Sequence, residues 1–221
     1  MQFGLSEEQI LLLDNVNRFL DDNSPLDRVR LYADGGDDAD IWAGLAELGV
    51  PALLVPEAQG GIGLNPLDAA IVAESLGAHI TPSPFLGTAV MAPTALVASG
   101  GNHDDLLAEI AAGTHRVGIA FSEAIKRRND ARVEARDSRL FGKSLFAFDA
   151  DANSYLVADQ NKHLYLVAAQ DPGLTRTHLT TVDKTRRTVE LTYNDVAAQC
   201  VSTDVGVFER VLDIGRGAIA A

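Results

Sequence analysis

Apolar residues return every three or four positions near the start of the chain. Ile10, Leu13, Val16 and Leu20, with Leu12 and Phe19 beside them, form one helical stripe. Ser6-Glu7-Glu8-Gln9 precedes it as a capping box, with Ser6 as N-cap and Gln9 three residues on. Asn23-Ser24-Pro25 ends that helix, and Asp34-Gly35-Gly36-Asp37-Asp38 reads as an acidic loop. Asp40 caps a short helix over residues 41–48, closed by Gly49. Asn65-Pro66 pairs a cap with a proline at the first helical position, opening a helix over residues 66–76 with Gly77 at its end. Two more helices are predicted over residues 85–98 and 104–112, stopped by Gly100-Gly101 and Gly113.

After Gly113 the pattern changes. Short apolar, β-branched and aromatic runs occupy residues 117–121, 132–135, 139–141, 145–148, 155–158, 163–167 and 188–193, with Asp, Asn, Gly and Pro turns between them. Short strands without intervening helices predict an antiparallel barrel or sandwich. From Gly206 a helical stripe resumes through Val207, Phe208, Val211, Leu212, Ile214 and Ile219. Nothing in the pattern partners its apolar face, so the expectation is a helix cut at Ala221, with more protein to follow. The expected fold class is therefore α+β multidomain. An N-terminal α-helical domain (1–113) precedes an antiparallel β-barrel domain (114–205), and residues 206–221 start a third, helical domain.

Charge sharpens the boundary near Gly113. The net charge is −13, but residues 1–113 hold 17 acidic and 3 basic side chains, whereas residues 114–221 hold 14 and 15. An acidic first half argues against nucleic acid as a partner. The basic cluster Lys126, Arg127, Arg128 and Arg132 is either a solvated loop or hairpin face or a contact for an anionic ligand. No apolar run approaches the roughly 18–20 residues that span a membrane, and no signal peptide is read in residues 1–20. A single cysteine, Cys200, cannot form an internal disulfide and fits a reducing, cytoplasmic compartment. The five histidines, at positions 79, 103, 115, 163 and 178, show no metal-ligand spacing, so no metal is expected.

Several segments resemble the acyl-CoA dehydrogenase family, in the family's own order. Trp42-x-x-Leu45-x-x-Leu48-Gly49-Val50-Pro51 leads into Val55-Pro56-Glu57-x-x-Gly60-Gly61-x-Gly63. The run Asp68-x-x-Ile71-Val72-Ala73-Glu74-Ser75-Leu76-Gly77 resembles the helix that follows. Ile119-Ala120-Phe121-Ser122-Glu123 resembles the family's strand ending beside the flavin, and residues 142–149 the strand carrying an aromatic residue onto it. Tyr193-Asn194-Asp195-Val196 resembles the exit from the last barrel strand.

The resemblance implies bound FAD and an acyl-CoA thioester substrate, dehydrogenated between Cα and Cβ. It also implies an electron-transfer flavoprotein or similar acceptor and a homo- or hetero-oligomer. By resemblance, the Ser122 hydroxyl and the backbone at Phe121 meet the flavin ring's polar edge, Phe146 packs on the ring, and Phe148 stands where the family often has a threonine. Phe85, Thr88 and Met91 line the acyl channel. No catalytic residue is assigned, because the family's carboxylate base lies in its C-terminal helical domain. Glu123 follows the flavin-facing residue and is structural. The family's Gly-Ser-Asp after the Ser-Glu pair is absent from residues 124–132. Asp183-x-Thr185-Arg186 resembles a turn of some family members, in which Arg186 meets either an anionic group or a carboxylate of the fold. The chain alone is expected to bind FAD weakly and to show no dehydrogenation. The alternative is a non-catalytic platform that pairs with a full-length partner.

Overall fold

In the computed structural model, residues 4–125 and 131–221 are described; Lys126, Arg127 and Arg128 of the basic cluster lie outside them. Helix α1 (Glu7–Asn23) starts where the capping box places it. The Ser6 hydroxyl accepts from the Gln9 backbone N–H at 3.2 Å, and the Gln9 side chain accepts from the Ser6 N–H at 3.0 Å. Helix α2 (Leu26–Ala33) follows with only a two-residue break, and α3 spans Ala39–Glu47, so Asp40 lies in its first turn and Asp38, not Asp40, is at the N-cap. Asn65 caps α4 (Pro66–Ala78). Asp68 of α4 accepts from Gln9 Nε2 at 2.8 Å, which ties the first turn of α1 to α4. A π-helical segment, Leu86–Met91, then runs into α5 (Ala92–Ala98), and α6 (Asp104–Ala111) follows.

Strand β1 (Val117–Ala120) is buried throughout, and a single helical turn, α7 (Ser122–Ile125), follows it. The remaining strands are β2 (Val133–Arg136), β3 (Arg139–Phe148), β4 (Ser154–Ala158), β5 (Leu164–Ala168), β6 (Leu174–His178), β7 (Thr188–Ala197) and β8 (Gln199–Ser202). They form one sheet ordered β6-β7-β3-β1-β4-β5-β8, with β2 paired on β3. Helix α8 (Val205–Ala220) ends the described chain.

Helices first, then strands, then a helix is the expected order. The barrel needs correction: the sheet is open and mixed. Strand β1 lies between β3, to which it is antiparallel, and β4, to which it is parallel. The chain leaves β3 and returns as β4 on the other side of β1, so β1 is wedged into what would otherwise be a β3–β4 hairpin. Side chains alternate identically in parallel and antiparallel strands, so the apolar pattern carries no trace of this wedge.

A second correction concerns α8. Its apolar face is covered by the chain itself: Val207, Phe208, Val211 and Leu212 are buried with Met91, Leu96, Ile110, Val117, Phe121 and Leu156 in one core cluster. Gly215 of α8 is packed against Met91 so closely that an added Cβ would stand 2.9 Å from the Met91 sulfur. A second cluster is purely helical, around Leu20, Trp42, Leu45, Val72 and Phe85. The third fills the other face of the sheet, around Leu140, Tyr155, Val157, Leu191 and Tyr193. Alternation in β1 and β4 feeds both sheet-side clusters: Val117, Ile119 and Leu156 face α8, whereas Ala120, Tyr155 and Val157 face away.

Two close contacts near the start of β1 help to join the helices to the sheet. Trp42 Nε1 donates to the Gly113 carbonyl at 2.9 Å. The π-helical segment approaches β1 so closely that a Cβ on Gly87 would lie 2.4 Å from the Val117 oxygen. Among the described residues, no helix is long and apolar enough to cross a membrane.

Candidate flavin and acyl site

The end of β1 is fastened to β3 by one acidic side chain. Glu123 is buried; its Oε2 accepts from the Ser122 hydroxyl at 2.5 Å and its Oε1 accepts from the Leu145 N–H at 3.1 Å. Ser122 therefore sits beside Leu145, one residue before Phe146, with its proton committed to Glu123. The Phe121 ring turns inward and packs on Phe208, with centroids 5.2 Å apart, and its carbonyl accepts from the Ala124 and Ile125 N–H groups at 3.1 and 3.2 Å.

Phe146 and Phe148 are the reverse case. They lie two apart near the end of β3 and remain 44% and 37% exposed, an open setting for large apolar rings. The intervening Ala147 is fully buried. Two half-open phenyl rings on one strand suit a planar aromatic group laid against them.

Phe148 also walls a cleft of about 340 Å³. Its apolar side is Leu76, Ile80, Phe85, Leu86, Phe148 and Ile219; its polar side is Tyr32, Asp38, Asp149, Asp183, Arg186 and Arg187. The structure thus brings together Phe148 from the predicted flavin set and Phe85 from the predicted acyl set. Thr88 and Met91 stand elsewhere. Both are buried, and neither is among the cleft's lining residues. The Thr88 hydroxyl accepts from the Val117 N–H at 2.9 Å, giving that β1 donor a partner that the sheet does not supply. Thr88→Val should leave the N–H unpaired and cost about 1–3 kcal/mol of stability in urea unfolding, whereas Thr88→Ser should retain most of it. Equal losses in the two variants would show that the hydroxyl is not what matters.

The polar side of the cleft gathers charged groups near Asp149. Arg116 Nη1 pairs with Asp38 Oδ1 at 2.8 Å, both side chains being largely shielded. The Arg187 guanidinium stacks over the Tyr32 ring at 4.1 Å and donates to the Tyr32 carbonyl at 3.2 Å and to the Gly36 carbonyl. Burial, and then the Asp38 charge, push the Tyr32 hydroxyl up to about 12. Asp149 holds a left-handed backbone, φ 64°. Its Oδ1 accepts from the Asp151 N–H at 3.2 Å, and its carbonyl accepts from the Tyr155 hydroxyl at 3.1 Å. Burial pushes its carboxyl up to about 6; Arg116 opposes the shift and Asp38 adds to it. Sequence reasoning missed Asp149, Tyr32 and Asp38, because an isolated Asp or Tyr carries no signal until the fold surrounds it.

A second constellation has the geometry of a Ser–His–carboxylate relay. His115 Nε2 is 2.9 Å from Ser154 Oγ, and its Nδ1 is 3.1 Å from Glu109 Oε2. Ser154 is buried, its backbone N–H is bonded to the Arg116 carbonyl, and it lines neither of the two principal recesses. A nucleophile needs access to a reacting carbonyl, so this trio reads as a tie between α6 and β4. Among the described residues, no group of three or more His, Cys, Asp or Glu side chains is placed to hold a metal ion.

Residues 6–114 match the family profile described as acyl-CoA dehydrogenase, N-terminal domain. The chain is 41% identical over 88 residues to the acyl-CoA dehydrogenase IpdE2 of Mycobacterium tuberculosis, covering 39% of this chain and 27% of that protein. It is 35% identical over 121 residues to IpdE2 of Mycolicibacterium smegmatis, covering 53% and 38%. The matched segments thus span well under half of those relatives. Among solved structures, a variant of the Tcur3481-Tcur3483 steroid ACAD superposes with a TM-score of 0.85 at 25% identity, over 97% of this chain and 62% of that one. The ChsE4-ChsE5 complex of Mycobacterium tuberculosis shares the fold, with a TM-score of 0.82 at 22% identity over 99% and 64%. The helices that carry Phe85, the sheet that carries Phe148 and the matched sequence agree: the chain belongs to the acyl-CoA dehydrogenase family.

Proposed function

We propose that this chain provides the flavin-facing and acyl-facing surfaces of an FAD-dependent acyl-CoA dehydrogenase that acts between Cα and Cβ of a thioester. The observation that carries the reading is the cleft shared by Phe148 and Phe85. Phe146 and Phe148 offer their rings to the isoalloxazine, and the backbone at Phe121 and the Ser122 hydroxyl oxygen meet its polar edge. Bound FAD supplies the acceptor for the hydride leaving Cβ. Leu76, Ile80, Phe85 and Leu86 keep water from the acyl group. No residue of this chain is assigned to take the Cα proton. In this reading residues 1–113 and 206–221 supply the acyl-side helices and residues 114–205 the flavin platform. An electron-transfer flavoprotein or similar acceptor reoxidises the flavin, within a homo- or hetero-oligomer.

Titrating the chain with FAD and following flavin fluorescence should give a saturable change. Phe146→Ala should weaken binding up to about ten-fold, the worth of one aromatic stacking contact. A titration without saturation, or one that the variant leaves unmoved, overturns the platform reading.

A second reading is a non-catalytic platform that pairs with a full-length partner. It is favoured by the sparse donors at the ring edge: the Ser122 proton is committed to Glu123, and Phe148 has no polar atom. Bleaching by acyl-CoA separates the two when a carboxylate base is also supplied: the catalytic reading expects it of one polypeptide that carries both the base and this flavin platform, the platform reading only of a mixture with the full-length partner.

A further inference from the structure

Among the described residues, two buried side-chain polar atoms have no hydrogen-bond partner: Asp149 Oδ2 and Thr188 Oγ1. Buried polar groups are almost always paired, so each such exception needs an explanation. These two share one place. Thr188 is the cross-strand partner of Phe148, the residue before Asp149. Asp149 lines the main cleft, Thr188 lines an adjoining recess of about 260 Å³, and Tyr32, Arg186 and Arg187 line both. The two residues therefore flank a single wall between two recesses.

Everything about Asp149 except Oδ2 is fixed. The Asp151 N–H holds Oδ1, and the Tyr155 hydroxyl holds the carbonyl. The neighbouring cations are mostly engaged: Arg116 with Asp38, and Arg187 with Tyr32, Gly36 and Asp151. With its carboxyl pushed up to about 6, Asp149 is mainly ionised at pH 7.5, and Oδ2, shielded from solvent in the unliganded chain, is left as an unmet acceptor on a residue that lines the cleft.

We propose that Asp149 is a specificity-determining residue, accepting at Oδ2 a hydrogen bond from a hydroxyl group borne by the acyl part of the ligand, so that the cleft selects hydroxylated acyl groups over plain hydrocarbon chains of the same skeleton. The inference rests on reading the cleft as the acyl site. A hydroxyl is favoured over other oxygen functions by what surrounds it. A ketone has no proton to give. A carboxylate would face Asp149, with Asp38 and Asp183 on the same wall. A hydroxyl gives its proton to Oδ2 and leaves its lone pairs for a donor such as the exposed Arg186, which lines the same cleft.

The test is calorimetric titration of the full chain at pH 7.5 with decanoyl-CoA, a series of hydroxydecanoyl-CoA thioesters differing in hydroxyl position, and the ω-carboxy analogue. At least one hydroxylated member should bind ten-fold or more tightly than decanoyl-CoA, since a site built to bond a hydroxyl discriminates strongly against the analogue lacking it. Asp149→Ala should erase that preference while leaving decanoyl-CoA affinity within about three-fold. If that variant fails to fold, the isosteric Asp149→Asn, which removes the ionised acceptor, should reduce the preference several-fold. Decanoyl-CoA binding with no hydroxyl preference overturns the inference and leaves the acyl reading standing. A preference that survives both substitutions, or one for the carboxylate, also overturns it. Absence of binding by every thioester overturns the acyl reading and this inference together.

Discussion

Phe208→Ala should lower the unfolding free energy by about 3–5 kcal/mol, the usual loss for a large aromatic ring removed from a tight core. Phe208 is fully buried on α8, packed on Phe121 with an interplanar angle of 46°. Lys162 Nζ lies 5.5 Å from its ring centroid and pairs with Glu209 one residue on, so the helix is fastened to the β4–β5 side as well. The ring is the point at which α8, the end of β1 and the helical layer meet. Losing it should also loosen the backbone at Phe121 and Ser122, and so weaken any flavin affinity beyond what stability alone accounts for. Urea unfolding of wild type, Phe208→Leu and Phe208→Ala checks the first effect, with Phe208→Leu expected to lose clearly less than Phe208→Ala. A loss below about 1 kcal/mol for the alanine variant would mean that α8 is not part of the cooperative core.

The second large effect is a change in pH dependence. The Asp149 carboxyl is raised from an ordinary value of 3.8 to about 6, first by burial and then by Asp38, against the pull of Arg116 and of the hydrogen bond from the Asp151 N–H. Between about pH 4 and 6 the folded chain therefore holds a proton that the unfolded chain has released. Stability must fall as pH rises through that window, and the cost is complete above it. Two pK units correspond to about 3 kcal/mol. Asp149→Asn keeps the shape and cannot ionise. Relative to wild type it should gain up to about 3 kcal/mol at pH 7.5 and show almost no gain at pH 4. Parallel stability profiles for the two proteins would show that the carboxyl is not held out of water. A carboxylate that destabilises its own fold makes physical sense where a ligand's hydrogen bond relieves part of the cost.

Local chemistry was legible residue by residue. Ser6 and Gln9 form the capping box that their spacing announces, and Asn65 caps α4 ahead of Pro66. The change from helix to strand near Gly113 stands where composition and charge both change. Some elements carried no such signal. Helix α2 begins directly after Pro25, where a stop was read, because a proline that ends one helix equally well precedes the next. Strand β6 is an edge strand with four of its five residues exposed, so it lacks the apolar alternation by which strands are recognised. Strands β2, β3 and β7 were found because each has a buried face.

The setting of the proposed flavin-facing rings was partly legible. Phe146 and Phe148 were expected at a ring-packing position, and the fold keeps both rings half open near one end of β3. Thr88 and Met91 were expected to line a channel, and the fold instead gives one to β1 as a hydrogen-bond partner and the other to α8 as packing. An apolar helix face reads identically whether it meets a ligand or a neighbouring helix.

The amino-acid sequence by itself determined the caps at Ser6 and Asn65, the helical and strand segments with a buried face, the family to which the chain belongs and the aromatic pair on β3. Capping, periodicity and motif order are properties of neighbouring residues, and neighbours are what a sequence records. Only the tertiary structure decided that β1 is wedged in parallel against β4, that α8 finds its partners within the chain, and that residues near 32, 80, 85, 149, 186 and 219 enclose one cleft. The raised carboxyl of Asp149 belongs to that second class. Its behaviour comes from losing water while Arg116, Asp38 and Asp151 gather around it, and no short stretch of sequence contains those charges together.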